Sequence, residues 1–213
     1  KWTTQEGVFA SEFHIDSDRI EEENEFEIVG DLPTITEKFN KNAKNSMFNN
    51  SGTMIDRKVY TAKLHASYEG KRTLLKDIMI PEKDVPESFF INGDIEKWKY
   101  LKGAKNEERY NKKRDFKYFY TEGPMIFPDS LDKPSRTIVT GEGGSSASRF
   151  KHVVKCESGR LRRLTPLELE RLNMFPDNHT EGISDIKRAF TMGNALVIGV
   201  IEKIGKGIIR KIN

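Results

Sequence analysis

The chain has 213 residues, 32% of them charged and 36% apolar, enough for one large domain or two small ones with a buried core. No run of about eighteen apolar residues and no secretory leader is present, so a membrane span and a membrane partner are not expected. Cys156 is the single cysteine, which excludes an internal disulfide, and His14, His65, His152 and His179 lack ligand-like spacing, so no metal site is expected.

The net charge of +3 is unevenly distributed. Residues 1–35 hold ten acids against Lys1 and Arg19, which leaves residues 36–213 at +11. A basic body of this kind suits a nucleic-acid partner; a solvated charged surface is the alternative on charge alone. The first residue is Lys1 rather than Met, as expected either for a piece of a longer protein or for a chain whose start is processed or missing.

In chain order, residues 1–30 read as an extended or weakly structured lead-in whose Glu21–Glu27 run is too acidic to pack on its own. Asn40–Gly52, rich in Asn, Lys and Ser, reads as a loop. Val59–Leu64 has strand character. Pro81–Pro86 is a turn region, Ser88–Ile91 a short strand, and Ile95–Lys105 one or two helical turns with Trp98 and Leu101 three apart. A basic block follows, Arg109, Lys112, Lys113 and Arg114, read as a loop before the aromatic strand Phe116–Tyr120. Asp132–Pro134 turns the chain into Arg136–Thr140, which alternates with period two. Gly141–Ser148 is a flexible loop and Arg149–Val154 another strand. Helices dominate after Thr165.

Two groups stand out as candidate contacts to a nucleic acid. Arg136 and Arg149 flank the Gly/Ser loop; arginine supplies bidentate contacts to guanine or phosphate, while Gly143, Gly144, Ser145 and Ser146 allow close backbone approach, with Thr137 and Lys151 alongside. The loop has neither a Walker nor a dinucleotide-binding signature. Arg109, Lys112, Lys113, Arg114 and Lys117 suit phosphates, which position a protein without reading sequence. A surface connection and a solvated charge run are the alternatives, and buried strand packing is the alternative for Tyr118 and Tyr120.

The last fifth of the chain carries the clearest local signals. Thr165 is a helix N-cap, Pro166 fits the first helical position, and Glu168 completes a capping box; Leu169 and Leu172 share a face, and Phe175-Pro176-Asp177 stops the helix. Phe190-Thr191-Met192-Gly193-Asn194 reads as a Gly-Asn turn feeding Ala195–Ile201, apolar on every side and so expected to be a helix buried all round, against a neighbour that the rest of this polar chain does not supply. Gly193 permits close backbone approach, and Gly205 is placed as the C-cap.

These two segments resemble the ninth and tenth sequence motifs of the DNA cytosine-5 methyltransferases. The resemblance implies that Gly193, Asn194 and Ala195 border the S-adenosyl-L-methionine site. Arg163, Thr165, Pro166, Glu168, Arg171, Phe175, Pro176 and Asp177 would be structural supports of a target recognition domain. Asn50–Met54, Pro134–Ile138, Gly143–Ser145 and Arg149–His152 resemble a subgroup whose recognition region also occurs as a separate subunit. Met174 stands where the family commonly has Gly, and Thr191 where it commonly has Gln.

The family's Phe-x-Gly-x-Gly, Pro-Cys, Glu-Asn-Val and Gln-x-Arg-x-Arg motifs are absent from this sequence, and Cys156 follows Lys155 rather than Pro. No catalytic residue is therefore expected here. The implied fold is α+β: a β-rich, irregular target recognition domain followed by C-terminal helices that pack on a catalytic domain outside this chain. Residues 1–44 would be an acidic lead-in, 45–160 the recognition domain, 161–189 its supporting helices and 190–213 the returning helix. The expected role is the DNA-recognition portion of a cytoplasmic, restriction–modification type methyltransferase, with double-stranded DNA and a catalytic domain or subunit as partners. A stand-alone sequence-specific DNA-binding module without methyl transfer is the alternative.

Overall fold

Residues 5–38 and 47–212 are described by the computed structural model, so residues 40–46 of the expected Asn40–Gly52 loop lie outside the described part. The chain divides into two units, one from Lys1–Gly70 with Val200–Asn213 and the other from Lys71–Gly199.

The first unit is built on a three-stranded antiparallel sheet, β1 (Glu21–Glu27), β2 (Ser51–Ile55) and β3 (Lys58–Lys63), in the order β1-β3-β2. Its hairpin turn is Asp56-Arg57, both at positive φ (48° and 66°), the backbone a two-residue β-hairpin with matching twist requires. Ser51 and Gly52 thus belong to a strand rather than to the expected loop. The acidic run is also ordered: Glu21 and Glu22 both lie 3.3 Å from Lys63, and Tyr60 donates to Glu23, so a basic and hydroxyl-bearing neighbour offsets the charge. The helix α1 (Val8–Glu12) packs on Gly207, where Val8 and Glu12 atoms lie about 3 Å from where a Cβ would stand, and Glu12 pairs with Arg210. The helix α2 (Leu32–Lys38) completes this part.

The second unit holds the helix α3 (Ile95–Lys102), the hairpin of β4 (Lys105–Asn111) and β5 (Phe116–Glu122), and the short pair β6 (Val153–Lys155) and β7 (Leu161–Arg163). It ends with α4 (Pro166–Leu172) and α5 (Asp185–Asn194). Its core gathers Leu75, Ile78, Val154, Leu164, Leu169, Ala189 and Met192, with Ile138, Leu172 and Phe175 packed against it. A second cluster, Val85, Phe89 and Phe90, includes Cys156 at its edge.

Several expectations change. Arg136–Thr140 forms no strand despite its alternation, because Ile138 turns to the core and Thr140 starts a 3-10 turn (Thr140–Glu142). Ser88–Ile91 is mainly a 3-10 turn (Glu87–Phe89), joined to β7 by a Phe90–Arg162 bridge and by Arg163, which donates to the Ser88 carbonyl at 2.6 Å. Arg109 is a strand residue, and only Lys112–Asp115 form the connecting turn.

At the C-terminus, Gly193 and Asn194 are the last helical residues of α5 rather than a turn. The next helix, α6, runs from Ile198 to Ile212 with Gly205 and Gly207 inside it. It is amphipathic, not buried all round: Glu202, Lys203, Lys206, Arg210 and Lys211 follow the apolar stretch, and Ile201, Ile208 and Ile209 are exposed.

Candidate nucleic-acid interface

The ion pair at the start of α4 fixes the floor of the second unit. Thr165 caps the helix as expected: its backbone N–H donates to Glu168 Oε2 at 2.8 Å and its hydroxyl accepts from the Glu168 N–H at 3.4 Å. The Glu168 carboxylate also accepts from Arg162 (2.7 and 2.8 Å) and from the Ile80 N–H (3.0 Å). One carboxylate therefore joins α4, β7 and the segment before Pro81.

Above this floor lies a polar network in which three of the cations expected at DNA, Arg136, Arg149 and Lys151, are engaged internally. Arg136 grips Asp129 through Nε at 2.6 Å, and donates to the Phe150 and Lys151 carbonyls at 3.0 Å each. Asp129 also accepts from the Val153 N–H, so the pair aligns β6. Arg149 donates to the carbonyls of Leu101, Gly103 and Gly123 and lies 3.2 Å from Glu122, closing the base of the β4–β5 hairpin.

Lys151 is buried, and its ammonium donates to the Gly144 and Ser146 carbonyls at 2.8 and 2.7 Å. Arg163 holds the Gly144 carbonyl at 2.7 Å from the other side. Two cations thus staple the loop that the sequence suggested is flexible, leaving Ser145 and Ser146 exposed at its crest. Burial, with Arg163 nearby, lowers the Lys151 pKa.

Sequence reasoning missed the partners of this network. Lys102 is 1% exposed; its ammonium donates to the Lys151 carbonyl, and burial, aided by Arg136, brings its pKa down to about 8. His152 is buried between Glu142 Oε1 (3.0 Å from Nδ1) and Ser135 Oγ (3.0 Å from Nε2). No local spacing announces these contacts, since the Lys102 and Lys151 positions are 49 residues apart.

The other cations point outward. Arg109 lies 3.5 Å from the centre of the Tyr120 ring, a cation–π contact. Lys112, Lys113 and Arg114 are exposed at the hairpin turn, and among the described residues their side chains have no hydrogen-bond or ion-pair partner. Thr137 is exposed as well. The structure therefore separates the expected contact residues into an inner bracing set and an outer set on the hairpin and loop crest.

Gly193 is placed by packing. A Cβ there would stand 2.5 Å from the Thr140 nitrogen and Val139 carbonyl carbon, so α5 meets that backbone directly. Gly143 approaches α5 from the same segment, near Ile186 and Ala189. Asn194 donates its side-chain amide to the Phe190 carbonyl at 2.8 Å. What remains at Gly193–Ala195 is the Asn194 side-chain oxygen and a short backbone edge. That is too little to hold S-adenosyl-L-methionine unaided. Among the described residues no cluster of metal-ligating side chains is found, and no helix is long and apolar enough to cross a membrane.

The C-5 cytosine-specific DNA methylase family matches residues 4–210, and the chain belongs to that family. It is 40% identical over 207 residues to the Type II methyltransferase M.Sau3AI of Staphylococcus aureus, a match covering 95% of this chain and 47% of that protein. The chain therefore spans about half the length of the curated relative it matches. A solved structure, the Entamoeba histolytica methyltransferase EhMeth, aligns with 90% of this chain and 55% of that chain at 12% identity and a TM-score of 0.44.

Proposed function

We propose that this chain is the DNA-recognition portion of a restriction–modification type cytosine-5 methyltransferase. It binds a duplex site and completes a catalytic domain that uses S-adenosyl-L-methionine. Family membership supports the reaction class, and the state of the chain's one thiol carries the division of labour. The reaction needs a thiolate that adds to the ring of a flipped-out cytosine. Cys156 is half-buried beside Phe89 and Phe90, and burial pushes its thiol pKa up, the opposite of what a nucleophile needs. No other residue of the chain offers that chemistry.

The binding work falls to the outer set. Lys112, Lys113 and Arg114 take phosphates, with Arg109 behind them. Gly143, Gly144, Ser145, Ser146 and Thr137 form a second contact surface. Arg136, Arg149 and Lys151 act by holding these elements in place, because their donors already meet main-chain carbonyls. Gly193, Asn194 and Ala195 contribute an edge beside the methyl donor, which the catalytic portion holds. The test is duplex binding by the purified chain, with unlabelled duplexes of varied sequence as competitors. Preferential competition by a subset of sequences is the expected result; an absence of duplex binding at low salt overturns the reading.

A further inference from the structure

The β4–β5 hairpin is a two-stranded ribbon clamped at its base and open at its tip. At the base, Lys105 meets Glu122 at 3.0 Å, Tyr100 donates to Glu107 at 2.6 Å, and Arg149 holds the Gly123 carbonyl. Seven cross-strand pairs, from Lys105–Glu122 to Asn111–Phe116, give it a length of about 20 Å. At the tip, the Asn111 side chain accepts from the N–H groups of Lys113 (3.0 Å) and Arg114 (3.2 Å), so the turn is preformed.

Side chains alternate between the two faces, and the faces differ. Lys105, Glu107 and Tyr120, at the base of one face, are buried or half-buried. On the other, Asn106, Glu108, Tyr110, Lys117, Phe119 and Thr121 are all exposed, Phe119 at 71%. Two strands open on one whole face are marginal in water without a partner. That face carries a large apolar ring, an amide and a hydroxyl beside the Glu108–Lys117 ion pair (3.3 Å), and it ends in three unpaired cations. The Asp115 carboxylate at the turn already accepts from Tyr110, so Lys112, Lys113 and Arg114 carry the free charge of the tip. This charge is complementary to a polyanion, and the B-DNA major groove, about 12 Å wide, admits a two-stranded ribbon.

We infer that this hairpin lies in the major groove of duplex DNA. Lys112, Lys113 and Arg114 sit on phosphates, and Asn106, Phe119 and Thr121 face base edges. The inference rests on the DNA-binding reading above and assigns it to one element.

The test uses the intact chain and labelled duplexes of about 30 base pairs with randomised centres. Binding is titrated against salt, and bound duplexes are sequenced. Replacing Lys112, Lys113 and Arg114 together by Ala lowers the slope of log affinity against log salt by about 2 to 3, with the thermal melt unchanged. Phe119→Ala and Asn106→Ala keep the slope and flatten the sequence preference. A triple variant with the wild-type slope overturns the placement of the ribbon. A sequence preference unchanged in both single variants overturns the role of its outer face. If the wild-type chain itself shows no salt-sensitive duplex binding, the DNA-binding reading falls; if it binds and the hairpin variants match it, only the present inference falls.

Discussion

Arg162 and Glu168 form a two-pronged ion pair at 2.7 and 2.8 Å with side chains 1% and 0% exposed. Such a pair is costly to break from one side, because the surviving charge stays buried without a partner. Glu168→Ala also removes the capping box of α4 and the acceptor of the Ile80 N–H. We expect a loss of about 3–5 kcal/mol, read as a drop in denaturant midpoint. Arg162→Met with Glu168→Leu should lose much less than Glu168→Ala, since neither charge then remains; equal losses would show that the pair is not the cause.

The approach of α5 to Val139–Thr140 predicts a steep response at Gly193. Gly193→Ala puts a methyl into backbone that cannot swing aside as a side chain can. It should destabilise the second unit by about 1–3 kcal/mol, as overpacking does. Gly141→Ala, with nothing within 4 Å of the new Cβ, is the control and should melt close to wild type.

Met174 predicts a gain. It occupies the left-handed region at φ 61°, where a side chain costs about 1–2 kcal/mol and glycine does not. The side chain is exposed and lies near Gly199, so little burial is lost on removing it. Met174→Gly should raise the melting temperature, and a fall would place the weight on the Met174–Gly199 contact instead.

Lys102 predicts a pH dependence. Its folded pKa of about 8 lies below the ordinary 10.5, so the folded chain releases this proton first. The stability cost of the buried charge is complete below about pH 8 and is relieved as pH rises from 8 to 10.5, by on the order of 3 kcal/mol. Chemical denaturation across that window should show wild-type stability gaining on Lys102→Met. A constant difference between the two would contradict the assignment.

Legibility in the sequence followed the range of the interactions. The Thr165–Glu168 box and the helix over Ile95–Lys102 rest on neighbours a few residues away, and the β3 and β5 strands announce themselves by local composition, so each is readable. The bracing roles of Arg136, Arg149 and Lys151 were not, because a guanidinium or ammonium that meets a distant carbonyl looks in sequence like one that meets a phosphate. The alternation at Arg136–Thr140 misled for a related reason: its backbone meets Gly193 of α5 instead of a strand. Gly193 itself was legible as a site of close approach, while its partner was not.

Under the proposed division of labour, recognition resides in this chain and the chemistry in a catalytic portion outside it. The most direct test of that division is transfer of labelled methyl groups from S-adenosyl-L-methionine to duplex DNA. The chain alone should give no transfer at concentrations where it binds DNA, and transfer should begin when a matching cytosine-5 methylase catalytic portion is added. Methyl transfer by the purified chain alone, surviving Cys156→Ala or abolished by it, would contradict the account.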